Sequence, residues 1–202
     1  TPLQERAAAV RRVATALRER SDEIAQMISR EVGMPAKLSA RIQAGAPVAA
    51  WDMYADLATS LSWEKRIGHS LVRQAPVGVA ACITPWNYPL HQITGKVAPA
   101  LLAGCTVVLK PSEMAPSSAW MLAQAVALAG LPPGVFNLVH GTGPDVGEAL
   151  VNADEAEVEV DQADADRGLT IEGVKLRSCR GRARRRGARR VGARRMHPGR
   201  GG

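Results

Sequence analysis

The stretch Ile83-Thr84-Pro85-Trp86-Asn87-Tyr88-Pro89-Leu90 decides the reading of this chain. It closes a run of small apolar residues, 75–84 (APVGVAACIT), and opens a segment with helical spacing over 90–103. A near-continuous apolar run without alternation is what a strand buried on both faces requires. The next such run, 106–109 (TVVL), ends in Lys110-Pro111-Ser112-Glu113. Two buried strands whose carboxyl ends carry polar groups side by side predict the rim of a nucleotide site in an open α/β sheet.

The same alternation continues downstream. Residues 116–129 read as a helix, with Pro116 suited to its first turn and Gly130 to its end. Residues 135–139 read as a third strand, and 144–151 as the start of another helix after the turn Gly141-Thr142-Gly143. This β-α-β-α-β-α order predicts right-handed parallel crossovers. Upstream, residues 2–32 read as two helices. Val10, Val13, Ala14 and Leu17 recur at helical spacing with arginines between them. Ser21-Asp22-Glu23 restarts the helix, with Ser21 as N-cap and acids in the first turn. Ile24, Met27 and Ile28 extend the apolar stripe, and Gly33 and Pro35 end it. A third helix covers 44–61, with Trp51, Tyr54, Leu57 and Leu61 on one side as core residues. Residues 70–74 alternate as an edge strand.

Length and composition bound the answer. A chain of 202 residues holds one sizeable core, or one domain with an appendage. It is 46% hydrophobic and 3% aromatic, so Ala, Val and Leu must build that core. No apolar run is long enough to span a bilayer, so no membrane partner is expected. No charged-then-apolar leader opens the chain, and its start at Thr1 is expected of an incomplete or processed N-terminus. Three cysteines, Cys82, Cys105 and Cys179, lack metal-ligand spacing and point to a reducing, cytoplasmic compartment. The net charge of +7 is uneven: residues 177–202 hold 11 arginines and no acid, which leaves −4 for the rest. Between body and tail, residues 154–166 carry seven acids.

Taken together, the motifs resemble those of the NAD(P)-dependent aldehyde dehydrogenases, over about residues 1–152. The resemblance implies an α/β fold. Helices would occupy 1–69, part of a Rossmann-like parallel sheet of the cofactor domain 70–152, and an acidic then Arg/Gly-rich tail 153–202. With almost no large apolar residues and no period, that tail is expected to be disordered.

The resemblance also implies site roles. Asn87 would stabilise the oxyanion formed when a thiolate attacks the aldehyde, its amide donating to the developing charge. A preorganised donor of this kind is typically worth on the order of 10²–10³ in rate. Lys110 and Glu113, with Ser112 between them, would hold the adenosine ribose: a carboxylate accepts both ribose hydroxyls and an ammonium donates to ribose oxygens. Ile83, Thr84, Pro85 and Trp86 would line the cofactor channel. Gly143 and Gly147 would allow close approach near the adenine, and Lys96 would lie near the active site. NAD is favoured over NADP, because a 2′-phosphate meets Glu113 with like charge. Each role has a plainer alternative: Asn87 as a helix cap, Lys110–Glu113 as an exposed ion pair, Lys96 as a solvated helix lysine.

The attacking cysteine is absent from this reading. Cys82 lies inside a buried strand and Cys105 in Ala-Gly-Cys-Thr before the next one, neither a polar, electropositive setting for a thiolate, and Cys179 lies in the tail that is expected to be disordered. The family's Phe-Thr-Gly-Ser turn and Glu-Leu-Gly-Gly motif do not occur, and Val158-Glu159-Val160-Asp161 stands where the first is expected. The chain is therefore expected to be the N-terminal portion of an aldehyde-oxidising enzyme, inactive alone. Its divergent end reads as an out-of-frame translation, a natural low-complexity tail, or a segment binding nucleic acid non-specifically through its arginines. A residual, weak nucleotide binder is the non-enzymatic alternative. The aldehyde substrate and homo-oligomeric state belong to the complete family enzyme.

Overall fold

The computed structural model describes residues 1–153 and 156–160. The chain opens with α1 (Leu3–Glu19) and α2 (Ser21–Val32), which follow each other almost without a break. Ser21 does not cap α2: Arg20 takes the N-cap position and no side chain bonds the free N–H groups. With α1 ending at Glu19, Arg20 alone separates the two helices, and Ser21 is already the first residue of α2. The rest of the α2 reading holds. Asp22 and Glu23 face the positive end of its dipole, and Gly33 ends it in the left-handed region at φ 76°.

A continuous helical stretch follows: one turn of α3 (Ala36–Leu38), a π-helical segment (Ser39–Gly45), then α4 (Ala46–Leu57). The third helix thus begins well before residue 44 and ends before residue 61. Trp51 is fully buried, but Leu57 and Leu61 are 40% and 46% exposed, so the stripe read across 51–61 reaches the core only in its first half. Beyond it lies a hairpin of β1 (Glu64–Ile67) and β2 (Ser70–Arg73), paired antiparallel and exposed along both strands. The alternation at 70–74 marks a strand, though its partner is β1 rather than the main sheet.

The main sheet consists of β3 (Val79–Thr84), β4 (Thr106–Pro111), β5 (Phe136–Leu138) and β6 (Ala156–Val160), all parallel, in the order β5-β4-β3-β6. Two helices make the crossovers: α5 (Pro89–Ala103) from β3 to β4, and α6 (Ser117–Leu128) from β4 to β5. The first strand is shorter than the apolar run 75–84, because Gly78, at φ 115°, turns the chain just before it. After β5, residues 143–151 form a π-helical segment (Gly143–Gly147) and a short α7 (Glu148–Val151), not one regular helix. The chain then crosses back to pair β6 with β3, Val79 opposite Ala156 and Ile83 opposite Val160. The expectation of disorder from residue 153 onward therefore fails for 156–160. Val158 and Val160 alternate with acids there, and β3 offers an open edge for pairing. The arginine tail and Cys179 lie outside the described residues.

One apolar cluster joins the N-terminal helices to the sheet. Val13, Leu17, Ile24, Ile28 and Trp51 share it with Ile93, Val97, Cys82, Val107, Leu109 and Leu122. Two polar ties reinforce the cluster. Trp51 Nε1 donates to Thr94 Oγ1 at 3.0 Å in the interior. Glu31 Oε1 accepts from Ser117 N (3.1 Å) and Ser117 Oγ (2.6 Å), so a carboxylate from α2 caps α6, which has no cap of its own.

Candidate functional site

The strand order places the site. The chain steps from β3 to β4 to β5 in one direction, then returns to the other side of β3. Such a switch opens a crevice at the carboxyl ends of the strands, beside the last residues of β3. Thr84 ends β3 there, and Pro85 to Tyr88 carry the chain through a bend into α5.

Asn87 sits in that bend. Tyr88 holds the N-cap position of α5, and no side chain caps the helix. The capping alternative for Asn87 is thus not what the structure uses. The Asn87 amide oxygen is enclosed without a hydrogen-bond partner, and the hydroxyl of Thr84, itself 1% exposed, is likewise enclosed and unpartnered. The Asn87 backbone carbonyl accepts a 3.1 Å hydrogen bond from Gln43 Nε2. Ile83 and Pro85 are buried, Trp86 is half-buried, and Tyr88 is exposed and packs edge-on against the His91 ring at 6.5 Å. Lys96, two turns into α5, is buried at 8% exposure rather than solvated.

The neighbouring strand end presents the second group. Lys110 is 3% exposed, and its Nζ reaches Glu113 Oε2 at 3.2 Å. Glu113 is about half exposed, so the pair has a buried cation and a carboxylate facing out. Its carboxyl is held below the ordinary glutamate range, first by the backbone N–H at its own position and then by Lys110, against the opposing effect of partial burial. The Gly143 N–H adds a smaller contribution, which brings the turn after β5 to the same carboxylate. Ser112 Oγ accepts from Met114 N at 3.3 Å and shapes the loop between Glu113 and α6.

Thr142 and Asp145 set the geometry of that turn. Thr142 Oγ1 accepts from Asp145 N and donates to Asp145 Oδ2 at 2.6 Å, fixing the start of the π-helical segment. Its steric demand falls on Gly141. A Cβ there would lie 2.2 Å from Val146 Cγ2, whereas one on Gly147 would meet nothing within 4 Å. The fold therefore brings Lys110, Ser112, Glu113 and Gly143 together at one strand end, and Ile83 to Asn87 at the next. The thiols of Cys82 and Cys105 are buried, and no disulfide joins them. A cavity of about 630 Å³ lined by Arg6, Gly104, Cys105 and Thr106 opens at the opposite, amino ends of the strands. Gln43 is the residue that sequence reasoning missed; Gly141 was read as part of the turn, but without the close contact that the structure gives it. Gln43 sits in a helical stretch without a motif.

A parallel sheet with its switch point beside a polar strand end defines an open α/β protein that takes ligands at that edge. The chain belongs to the aldehyde dehydrogenase family, whose profile matches residues 1–158, extending into β6. It is 44% identical over 159 residues to a 3-succinoylsemialdehyde-pyridine dehydrogenase of a Pseudomonas species, covering 78% of this chain and 33% of that protein. It is 42% identical over 158 residues to the human 2-aminomuconic semialdehyde dehydrogenase, covering 75% and 32%. Among solved structures, aldehyde dehydrogenase C of Pseudomonas syringae, in complex with NAD+ and octanal, superposes with a TM-score of 0.77 at 44% identity, over 78% of this chain and 33% of that one. The NAD+ complex of a Bacillus cereus aldehyde dehydrogenase gives 0.77 at 32% identity, over 83% and 35%. The chain spans about a third of the length of the relatives it matches.

Proposed function

We propose that this chain forms the cofactor and oxyanion wall of an aldehyde dehydrogenase site, taking NAD+ across the carboxyl ends of β3 and β4. The observation that carries the reading is a buried Lys110 holding a charged, half-exposed Glu113 beside a strand end that also presents Asn87. Glu113 accepts from the adenosine ribose hydroxyls and Lys110 donates to ribose oxygens, with Ser112 keeping the loop in place. Ile83, Thr84, Pro85 and Trp86 line the channel, and the enclosed, unpartnered Thr84 hydroxyl fits a ligand that brings polar atoms. Gly143 and Gly147 leave room for the dinucleotide beside the last helical segment. When bound, the nicotinamide would supply the hydride acceptor for aldehyde oxidation. NAD is favoured over NADP because Glu113 repels a 2′-phosphate.

Asn87 keeps its amide for a developing alkoxide, and Lys96 lies two turns further along the same helix. The attacking thiolate is assigned to none of the described residues, since Cys82 and Cys105 are both buried and a reactive thiol needs partial exposure. Titration of the 202-residue chain with NAD+ and with ADP-ribose tests the site. Weak, millimolar binding that shifts Glu113 and Lys110 resonances supports it. No response at either residue would discard the ribose assignment. Aldehyde-dependent NADH formation by the purified chain would show that its own residues supply the nucleophile.

The same reading places the protein in the cytoplasm, and in a complete enzyme as a homo-oligomer whose added strand meets the exposed β1–β2 hairpin. It also treats the residues beyond the family match as an out-of-frame translation. Finding Phe-Thr-Gly-Ser and Glu-Leu-Gly-Gly in another frame of the source gene downstream of Asn152 supports this. Their absence from all frames leaves the basic tail as a non-specific polyanion binder, tested by salt-dependent nucleic-acid binding.

A further inference from the structure

We infer that Gln43 is a positioning residue for Asn87: it holds the bend that carries the amide, from a helix distant in sequence. Three observations meet here. Gln43 is fully buried, and its Nε2 donates at 3.1 Å to the Asn87 backbone carbonyl, 44 residues away. The donor sits in a π-helical segment, Ser39–Gly45, where the wider turn brings Ser39, Gln43 and Ala44 inward together. Such segments recur at functional sites. Ser39 pins the segment to α2 by donating from Oγ to the Ala25 carbonyl at 2.7 Å.

The polar atoms left over point to more than packing. Gln43 Oε1 and Asn87 Oδ1 are both enclosed without partners. Two acceptors cannot bond each other, so a group brought only for packing would be better apolar at this position. Asn87 Nδ2, on the same amide as that unpartnered oxygen, is the atom an oxyanion needs. The bend spans Pro85 to Tyr88 and has no side-chain cap from α5 to hold it. Gln43 supplies that restraint: with the carbonyl of Asn87 fixed, its Cα–Cβ direction, and so the reach of its amide, is fixed too. This role rests on the oxyanion assignment of Asn87, but the restraint itself is measurable without an aldehyde.

The test uses the full 202-residue chain, labelled with ¹⁵N, and two variants of near-equal size. Gln43→Glu removes the donor and keeps a polar side chain; Gln43→Leu removes both polar atoms. Asn87→Ala identifies the Asn87 side-chain NH₂ signals. The expected result is that both Gln43 variants move the Asn87 NH₂ pair towards the positions of a freely rotating amide, while the Asn137 amide and the Lys110 backbone signals stay in place. Unchanged Asn87 signals in either folded variant overturn the proposal. If one variant does not fold, the other decides alone. If neither folds, Gln43 is structural and the proposal fails. A restrained amide in a chain that shows no response to NAD+ would instead sink the functional reading and leave the restraint standing.

Discussion

Lys110 and Glu113 meet end to end at 3.2 Å, one almost fully buried and the other half in solvent. The cation is thus fixed by the fold, and the carboxylate is presented outward in its charged form. Since Glu113 titrates below the ordinary glutamate range, its charged form favours the native state at pH values above the unfolded glutamate value. That contribution fades as pH falls through the depressed folded value. Nucleotide binding through the same carboxylate should follow the same curve. A ¹³C titration of the Glu113 carboxyl should show a midpoint below that of an ordinary glutamate, and Lys110→Met should raise it. An unchanged midpoint in Lys110→Met would remove Lys110 as a cause.

Glu31 and Ser117 predict a stability effect far from the site. The Glu31 carboxylate replaces the missing cap of α6. Replacing Glu31 by Ala should lower the stability to urea by about 1 kcal/mol, the usual effect of losing an N-cap. Glu31→Gln, which still accepts from Ser117, should lose less. Equal losses for both would show that the charge, not the acceptor, matters.

Thr94 tests the polar tie within the core. Thr94→Val keeps the shape and leaves the fully buried Trp51 Nε1 without its acceptor. The expected loss is about 1–3 kcal/mol by chemical denaturation. A neutral substitution would mean that Trp51 finds another acceptor.

Gly141 is the glycine of the final turn whose side of the chain is closed. An added Cβ would collide with Val146. Gly141→Ala should destabilise by about 1–3 kcal/mol, and Val146→Ala in the same chain should recover much of that. Additive losses in the double variant would place the strain elsewhere.

Much of the fold was legible because it rests on local rules. Buried parallel strands need apolar runs, helices need a repeating apolar stripe, and Gly33 and Gly104 end helices because they reach the left-handed region without strain. The misreadings share one cause, the neighbour. Ser21 looks like a cap until α1 is found ending at Glu19, with only Arg20 between the two helices. The apolar stripe across 51–61 looks buried until α4 runs out of core. Residues 156–160 look like the start of a disordered acidic tail until β3 offers them an edge.

The site divides the same way. The order of residues along the chain by itself determined the family, the α/β alternation, and the two motifs that end β3 and β4, because each motif is contiguous and its chemistry travels with it. Tertiary structure alone decided what holds those motifs. It brings Gln43 to the carbonyl of Asn87, Glu31 to the start of α6, and the Gly143 turn to Glu113. Each of these is a single polar contact between segments far apart in the chain. Such a contact leaves no periodic trace, and only packing gives it a place.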